Sequence, residues 1–262
     1  MQFLEEETSM DAQAKSRPLF EPVNPNDLST QLHRQLVGYV AFSFPWVVLL
    51  IDWMRPTPDV IETPKSISAY YYTGAVAFFV GSLFAVSAFL FTYRGFKDEY
   101  GRRTDMIFGW LAGIAALVVA FFPTHPPRDV TPPTWWAEWM SVLHHCGAGA
   151  LFVVLAIISA FLFTKKSKEN QANTATGKIV RNGLHYVCAG VMVFCIVWAL
   201  YSAWKGLSIF WPEAGALMAF GISWLVKGRV DSTAVAIWND PLVVPKEIWK
   251  AARGEKVAMN QK

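Results

Sequence analysis

Trp139–Thr164 reads WMSVLHHCGAGALFVVLAIISAFLFT, and none of these 26 residues is Asp, Glu, Lys or Arg. A hydrocarbon core of roughly 30 Å needs about 20 apolar residues at helical rise, so the stretch is long enough to cross a membrane. It also holds His144 and His145, two adjacent ionisable residues inside an apolar run. Five further runs of the same character flank it. Six nearly charge-free runs decide the fold class: an all-α polytopic membrane bundle of six transmembrane helices.

Composition agrees. The 262 residues are 53% hydrophobic and 16% charged, against about 25% charged in ordinary soluble domains. A net charge of +3, with no basic block interleaved with aromatics, gives no footprint for nucleic acid. Cys146, Cys188 and Cys195 all fall in apolar runs, which predicts buried thiols behaving as small hydrophobes rather than a disulfide framework. The first 35 residues are polar and acidic, unlike a cleavable signal peptide, so the first span is expected to direct insertion.

Outward from the quoted stretch, the first span is expected over about Leu36–Trp53, with Pro45 as a kink. A Pro-rich loop, Arg55–Lys65, and the segment Ser66–Thr73 lead into a second span ending near Tyr93. The third runs over Met106–Phe122, the fifth over Asn182–Trp204 and the sixth over Leu207–Val226. Residues 1–35 and 229–262 read as tails around a 36–228 membrane domain, the first disordered, the second with a short amphipathic helix near Pro245–Arg253. An even span count puts both termini on one side. Nineteen of the 23 Lys and Arg fall on that side, leaving only Arg55, Lys65, Arg128 and Lys205 opposite, so the termini are expected to be cytoplasmic. Trp53, Tyr70–Tyr72, Trp135, Trp136, Trp204 and Trp211 would then mark the outer interface. Packing is expected along small-residue rows: Gly109, Ala112, Gly113, Ala116 and Ala120; Ala77, Gly81 and Ala85; Gly215, Ala219 and Ser223.

Ionisable groups at membrane depth are costly and therefore candidates for function. At 100° per residue, His145 shares a face with Ser141, Gly149, Phe152, Ala156 and Ser159, whereas His144 shares one with Leu151, Leu155, Ile158 and Leu162. The smaller, more polar row is expected to face the bundle, with His144 toward lipid or the interface. An outward-facing polar pocket would then gather Asp52, Tyr71, Thr73, His145 and Glu213, with His125 reaching over it. His145 and Glu213 could serve acid–base chemistry, or could satisfy each other or the backbone and lock two helices. Zinc, which usually needs three protein ligands, is not expected. His185 lies near the inner end of its span, far from His145, and no metal or cofactor motif is present. Lys227 and Arg229 read as positive-inside anchors, with lipid headgroup binding as a lesser role.

The segments SISAYYYT (66–73), VGSLF (80–84), FTYRG (91–95), Gly113 to Phe122-Pro123-Thr124, and FGISWLVKG (220–228) resemble a bacterial family of six-helix membrane proteins of unknown function. That family is loosely similar to the DRAM-type six-helix proteins of eukaryotes. The resemblance covers most of Ser66–Gly228 and implies fold and membrane location, but no activity. A distant similarity to the ceramidase and adiponectin-receptor superfamily stops short of that group's paired inner histidines and seventh span. The expectation is a multi-pass protein of the bacterial inner membrane without catalytic chemistry of its own. It would bind a lipid or small ligand in the polar pocket, or act as an accessory subunit of a membrane assembly. A hydrolase using His145 and Glu213, and a small transporter, are the alternatives. Membrane lipids and other membrane subunits are the expected partners.

Overall fold

A computed structural model describes residues 25–55, 64–93, 104–128, 130–164, 175–228 and 249. Six long helices follow in order: α1 (Pro25–Met54), α2 (Val76–Thr92), α3 (Thr104–Phe121), α4 (Glu138–Ile157), α5 (Ala175–Trp204) and α6 (Phe210–Lys227). A 3₁₀ turn at Ser68–Tyr72 precedes α2, and a π turn at Ile158–Leu162 extends α4. Among the described residues there is no strand. The chain divides into one compact unit, His33–Val230, and a second of Met1–Leu32 with Asp231–Lys262. The expected tail disorder, the Pro245–Arg253 helix and most of the basic loops lie outside the described residues.

Leu32–Met54, Thr104–Phe121, Glu138–Leu162 and Ile179–Trp204 are each long and apolar enough to cross a membrane. These four segments mark the chain as a membrane protein. Their outer faces carry bulky apolar groups such as Phe161, Val187, Phe194 and Leu200 in exposed positions, an arrangement suited to lipid rather than water. The fold also turns the expected corners. After α5, Gly206 adopts φ +68°, its N–H bonds back to Ala203 and the Leu207 N–H to Ser202. This Schellman ending needs the left-handed residue that glycine supplies without strain.

In a bilayer, helices associate through close van der Waals approach rather than by escape from water. The α3 row meets that requirement: Gly109, Ala112, Gly113, Ala116 and Ala120 are all buried. A Cβ on Gly109 would lie 2.7 Å from the Leu90 carbonyl oxygen of α2. The seam between α1 and α6 is closer still. A Cβ on Gly221 would sit 2.7 Å from the Phe42 nitrogen and 2.8 Å from the Gly38 oxygen. At the end of that seam Gln35 Nε2 donates to the Gly228 carbonyl at 2.8 Å, which brings the start of α1 to the end of α6. α1 continues through Pro45, which is buried.

Several expectations are overturned. His144 and the row Leu151, Leu155, Ile158 and Leu162 face the core, whereas His145 and Gly149 are exposed. The residue that decides this is Gly147, one turn from His144. A Cβ there would meet Val118 Cγ1 at 2.7 Å and the Ala115 oxygen at 3.4 Å, so α4 docks on α3 through Gly147 and carries His144 inward. A π turn follows (Phe163 N–H bonds to Ile158), and Ser159, one turn after the buried Leu155, is also interior. Ala77 and Gly81 face outward. Cys146 is exposed beside His145 while Cys188 and Cys195 are buried. Tyr70 is a core residue, not an interfacial one, because its ring packs against Phe210 of α6 at 6.0 Å.

Candidate functional site

The end of the bundle where α1 finishes and α6 begins is tied by main-chain acceptors. The Lys65 carbonyl takes three donors: Ile209 N–H (2.8 Å), Phe210 N–H (3.0 Å) and the Ser208 hydroxyl (2.9 Å). Glu213, in the first turn of α6, completes the clasp. Its Oε2 accepts from the Ile67 N–H at 2.6 Å. Glu213 thus fastens the 64–75 segment to α6.

That segment carries the other polar groups. The Thr73 hydroxyl lies between two acceptors, the Asp52 carboxylate and the Tyr70 carbonyl (3.0 Å), and itself accepts from Ala75 N–H at 3.1 Å. Asp52 at the end of α1 and Thr73 are therefore brought together. The Tyr72 hydroxyl donates to the Thr124 carbonyl at 2.7 Å, pinning the turn to the chain after α3, and burial pushes its phenol well above the ordinary value. Tyr71 packs edge-on against Tyr72 and Phe79. Tyr70 is fully buried, and its hydroxyl has no hydrogen-bond partner among the described residues. Burial, and then the nearby Asp52 charge, push this phenol up to about 12, so it stays a neutral O–H donor at physiological pH.

The histidines divide. His144 is 1% exposed. The Phe122 carbonyl lies 2.6 Å from Nδ1; a carbonyl only accepts, so Nδ1 carries hydrogen and, in the neutral ring, Nε2 is an acceptor. Nε2 is buried and has no hydrogen-bond partner among the described residues. His145 Nδ1 donates to the Ser141 carbonyl of its own helix at 2.6 Å, and its ring is exposed. No hydrogen bond joins His145 to Glu213, because each is held by another group. His125 stacks on Trp136 and donates to the Pro126 carbonyl. Among the described residues no three His, Cys, Asp or Glu side chains gather as a metal-binding group.

Tyr70 and His144 are the functional candidates that sequence reasoning missed. They border one cluster: Tyr70, Val119 and Phe210 belong to it, and Ala148, one turn beyond His144, packs against it. The Val119 carbonyl is also a neighbour of the His144 ring. Two signals were present in the sequence, Gly147 three residues after His144 and a tyrosine triplet whose first member precedes the α2 start by six residues.

Fold and site together define an all-helical membrane protein with a buried polar cluster at one end of its bundle. No family model, curated protein or solved structure matches this chain.

Proposed function

We infer that the chain is a six-span protein of the bacterial inner membrane, with cytoplasmic termini, that binds a hydroxyl-bearing lipid or small ligand without transforming it. Four spans are given by length and apolarity. α2 and α6, at 17 and 18 residues, reach about 26 Å at helical rise, and the charges of α6, Glu213 and Lys227, stand at its two ends. The basic residues supply the orientation.

The observation that carries the binding reading is the pair of buried unpartnered atoms, Tyr70 Oη and His144 Nε2. Native proteins leave few such atoms, and each costs roughly 1–3 kcal/mol. One needs an acceptor and the other a donor, and a hydroxyl group supplies both. Asp52 and Thr73 flank the same cluster. The reading is tested by extracting lipids and small molecules from the full chain purified in mild detergent. Wild type should retain a hydroxyl-bearing ligand in stoichiometric amount. Tyr70→Phe, and His144→Asn (which keeps a donor toward Phe122 and removes Nε2), should each lower its occupancy about tenfold while gel-filtration behaviour is unchanged. Equal occupancy in all three proteins would sink the reading.

A further inference from the structure

The opposite end of the bundle presents different chemistry. Tyr93, just past α2, is 6% exposed, and its hydroxyl has no hydrogen-bond partner among the described residues. The Arg34 guanidinium carbon stands 5.8 Å from its ring centre, and Arg34 Nε is likewise buried and unpartnered. On the other side, Trp224 of α6 meets Tyr93 edge-on at 5.2 Å. The Trp224 indole is 1% exposed, with Nε1 unpartnered. Phe163 closes the aromatic group against Trp224 at 5.3 Å, and Lys227 Nζ lies 5.1 Å from its ring centre, donating to its carbonyl at 3.3 Å. His185, bonded to Ser223, stacks on Phe163 with the charges of Lys227 and Arg181 beside it.

The sign of the unmet need is what matters. Arg Nε and Trp Nε1 can only donate, and the tyrosine hydroxyl completes a set of three donors with no acceptor of their own. One carboxylate, Asp105, is a charge neighbour of Tyr93; it sits in the first turn of α3, where the helix N-terminus offsets its charge. Among the described residues Arg34, Arg181 and Lys227 stand near the same aromatic group. An acceptor-rich anion fits such a set, and guanidinium geometry favours phosphate.

We propose that Arg34, Tyr93 and Trp224 bind a phosphate-bearing anion, with Lys227 and Arg181 at the rim. The site is separate from the Tyr70 and His144 cluster and stands whether or not that cluster binds a ligand. The phosphate could belong to a lipid headgroup or be free, and one titration separates them. The full chain in mild detergent is titrated with phosphatidylglycerol, phosphatidylcholine and inorganic phosphate, and binding is read by native mass spectrometry and thermal shift. Saturable binding of phosphatidylglycerol alone assigns a headgroup. Saturable binding of inorganic phosphate, with competition between the two, assigns a free-phosphate site. In either case Tyr93→Phe, which deletes a donor and keeps the ring, and Trp224→Phe, which deletes a donor and shrinks the indole to a phenyl ring, should weaken binding about tenfold each, and Arg34→Gln more. Binding that none of the three substitutions changes, or no saturable binding of either anionic probe, overturns the proposal. Tyr93→Phe removes no packing, whereas Trp224→Phe trims one ring of a buried indole, so the unliganded melting temperature of each variant is measured to report folding independently.

Discussion

The two ends of this bundle use the same side-chain types to opposite effect. At the Glu213 end the polar groups are mostly answered by main chain: Glu213 by Ile67, Tyr72 by Thr124, and Ser208 by Lys65. What remains among the described residues is two donors and one acceptor, Tyr70 Oη, Trp136 Nε1 and His144 Nε2. At the Trp224 end, aromatic edges do the packing, cations stand around them, and the unmet groups are donors. A buried tyrosine therefore carries no fixed meaning. Tyr70 sits beside a carboxylate, Tyr93 beside a guanidinium, and their environments select different ligands.

Both ends depend on one seam, which gives the largest expected effect. Gly221→Val would drive a branched side chain into the Phe42 and Gly38 backbone, where neither neighbour can rotate away. Overpacking of this kind costs about 1–3 kcal/mol and more against rigid backbone. Melting in mild detergent should fall steeply or the protein should fail to accumulate, and both clusters should be lost together. Gly190→Ala, on an open face with nothing within 4 Å, is the control and should leave melting unchanged. A Gly221→Val protein that melted like wild type would separate the two ends and remove the common seam from the comparison.

A smaller effect isolates the Glu213 end. His144→Ala removes a buried ring and strands the Phe122 carbonyl, a loss of about 2–4 kcal/mol, whereas His145→Ala removes an exposed ring bonded only to its own helix and should stay within about 0.5 kcal/mol. The ordering, read as melting temperature of the two single variants, reverses the one that residue pattern alone predicts. A greater loss for His145 would restore the sequence-derived face.

The reason for that reversal marks how far the sequence could be read. The six helices and their order are legible because apolar runs near the bilayer length are hard to mistake. The α3 glycine–alanine row is legible too, since repetition over five positions leaves one face small. On α4 the pattern offered two competing rows, and the polar one was the wrong choice: a single glycine, Gly147, fixes the helix phase by letting Val118 and the Ala115 carbonyl approach. Side-chain polarity averages over a face, and close approach is decided at one point. The same limit applies to the site. Asp52 and Thr73 come together as their positions at neighbouring helix ends imply, and Glu213 is where its place in α6 puts it. Its partner is a main-chain N–H 146 residues away in sequence, which no side-chain motif could announce. The donor cluster around Tyr93 was invisible for a related reason, since it rests on which atoms lack partners.

The smallest effect is the most discriminating, because its sign changes with the ligand. In protein stripped of bound lipid, Tyr70→Phe removes a fully buried hydroxyl that has no hydrogen-bond partner among the described residues and leaves the ring against Phe210. Deleting an unsatisfied buried polar atom should raise stability by about 1 kcal/mol. In protein carrying its ligand, the same substitution deletes a hydrogen bond and should lower stability by a similar amount. Melting curves of wild type and Tyr70→Phe, each measured before and after exhaustive detergent exchange, give four temperatures. If the variant is the more stable of the pair only after exchange, the hydroxyl is held for a ligand. A variant more stable in both conditions makes Tyr70 Oη an uncompensated group of the fold, and the contrast between the two ends then reduces to the donors around Tyr93.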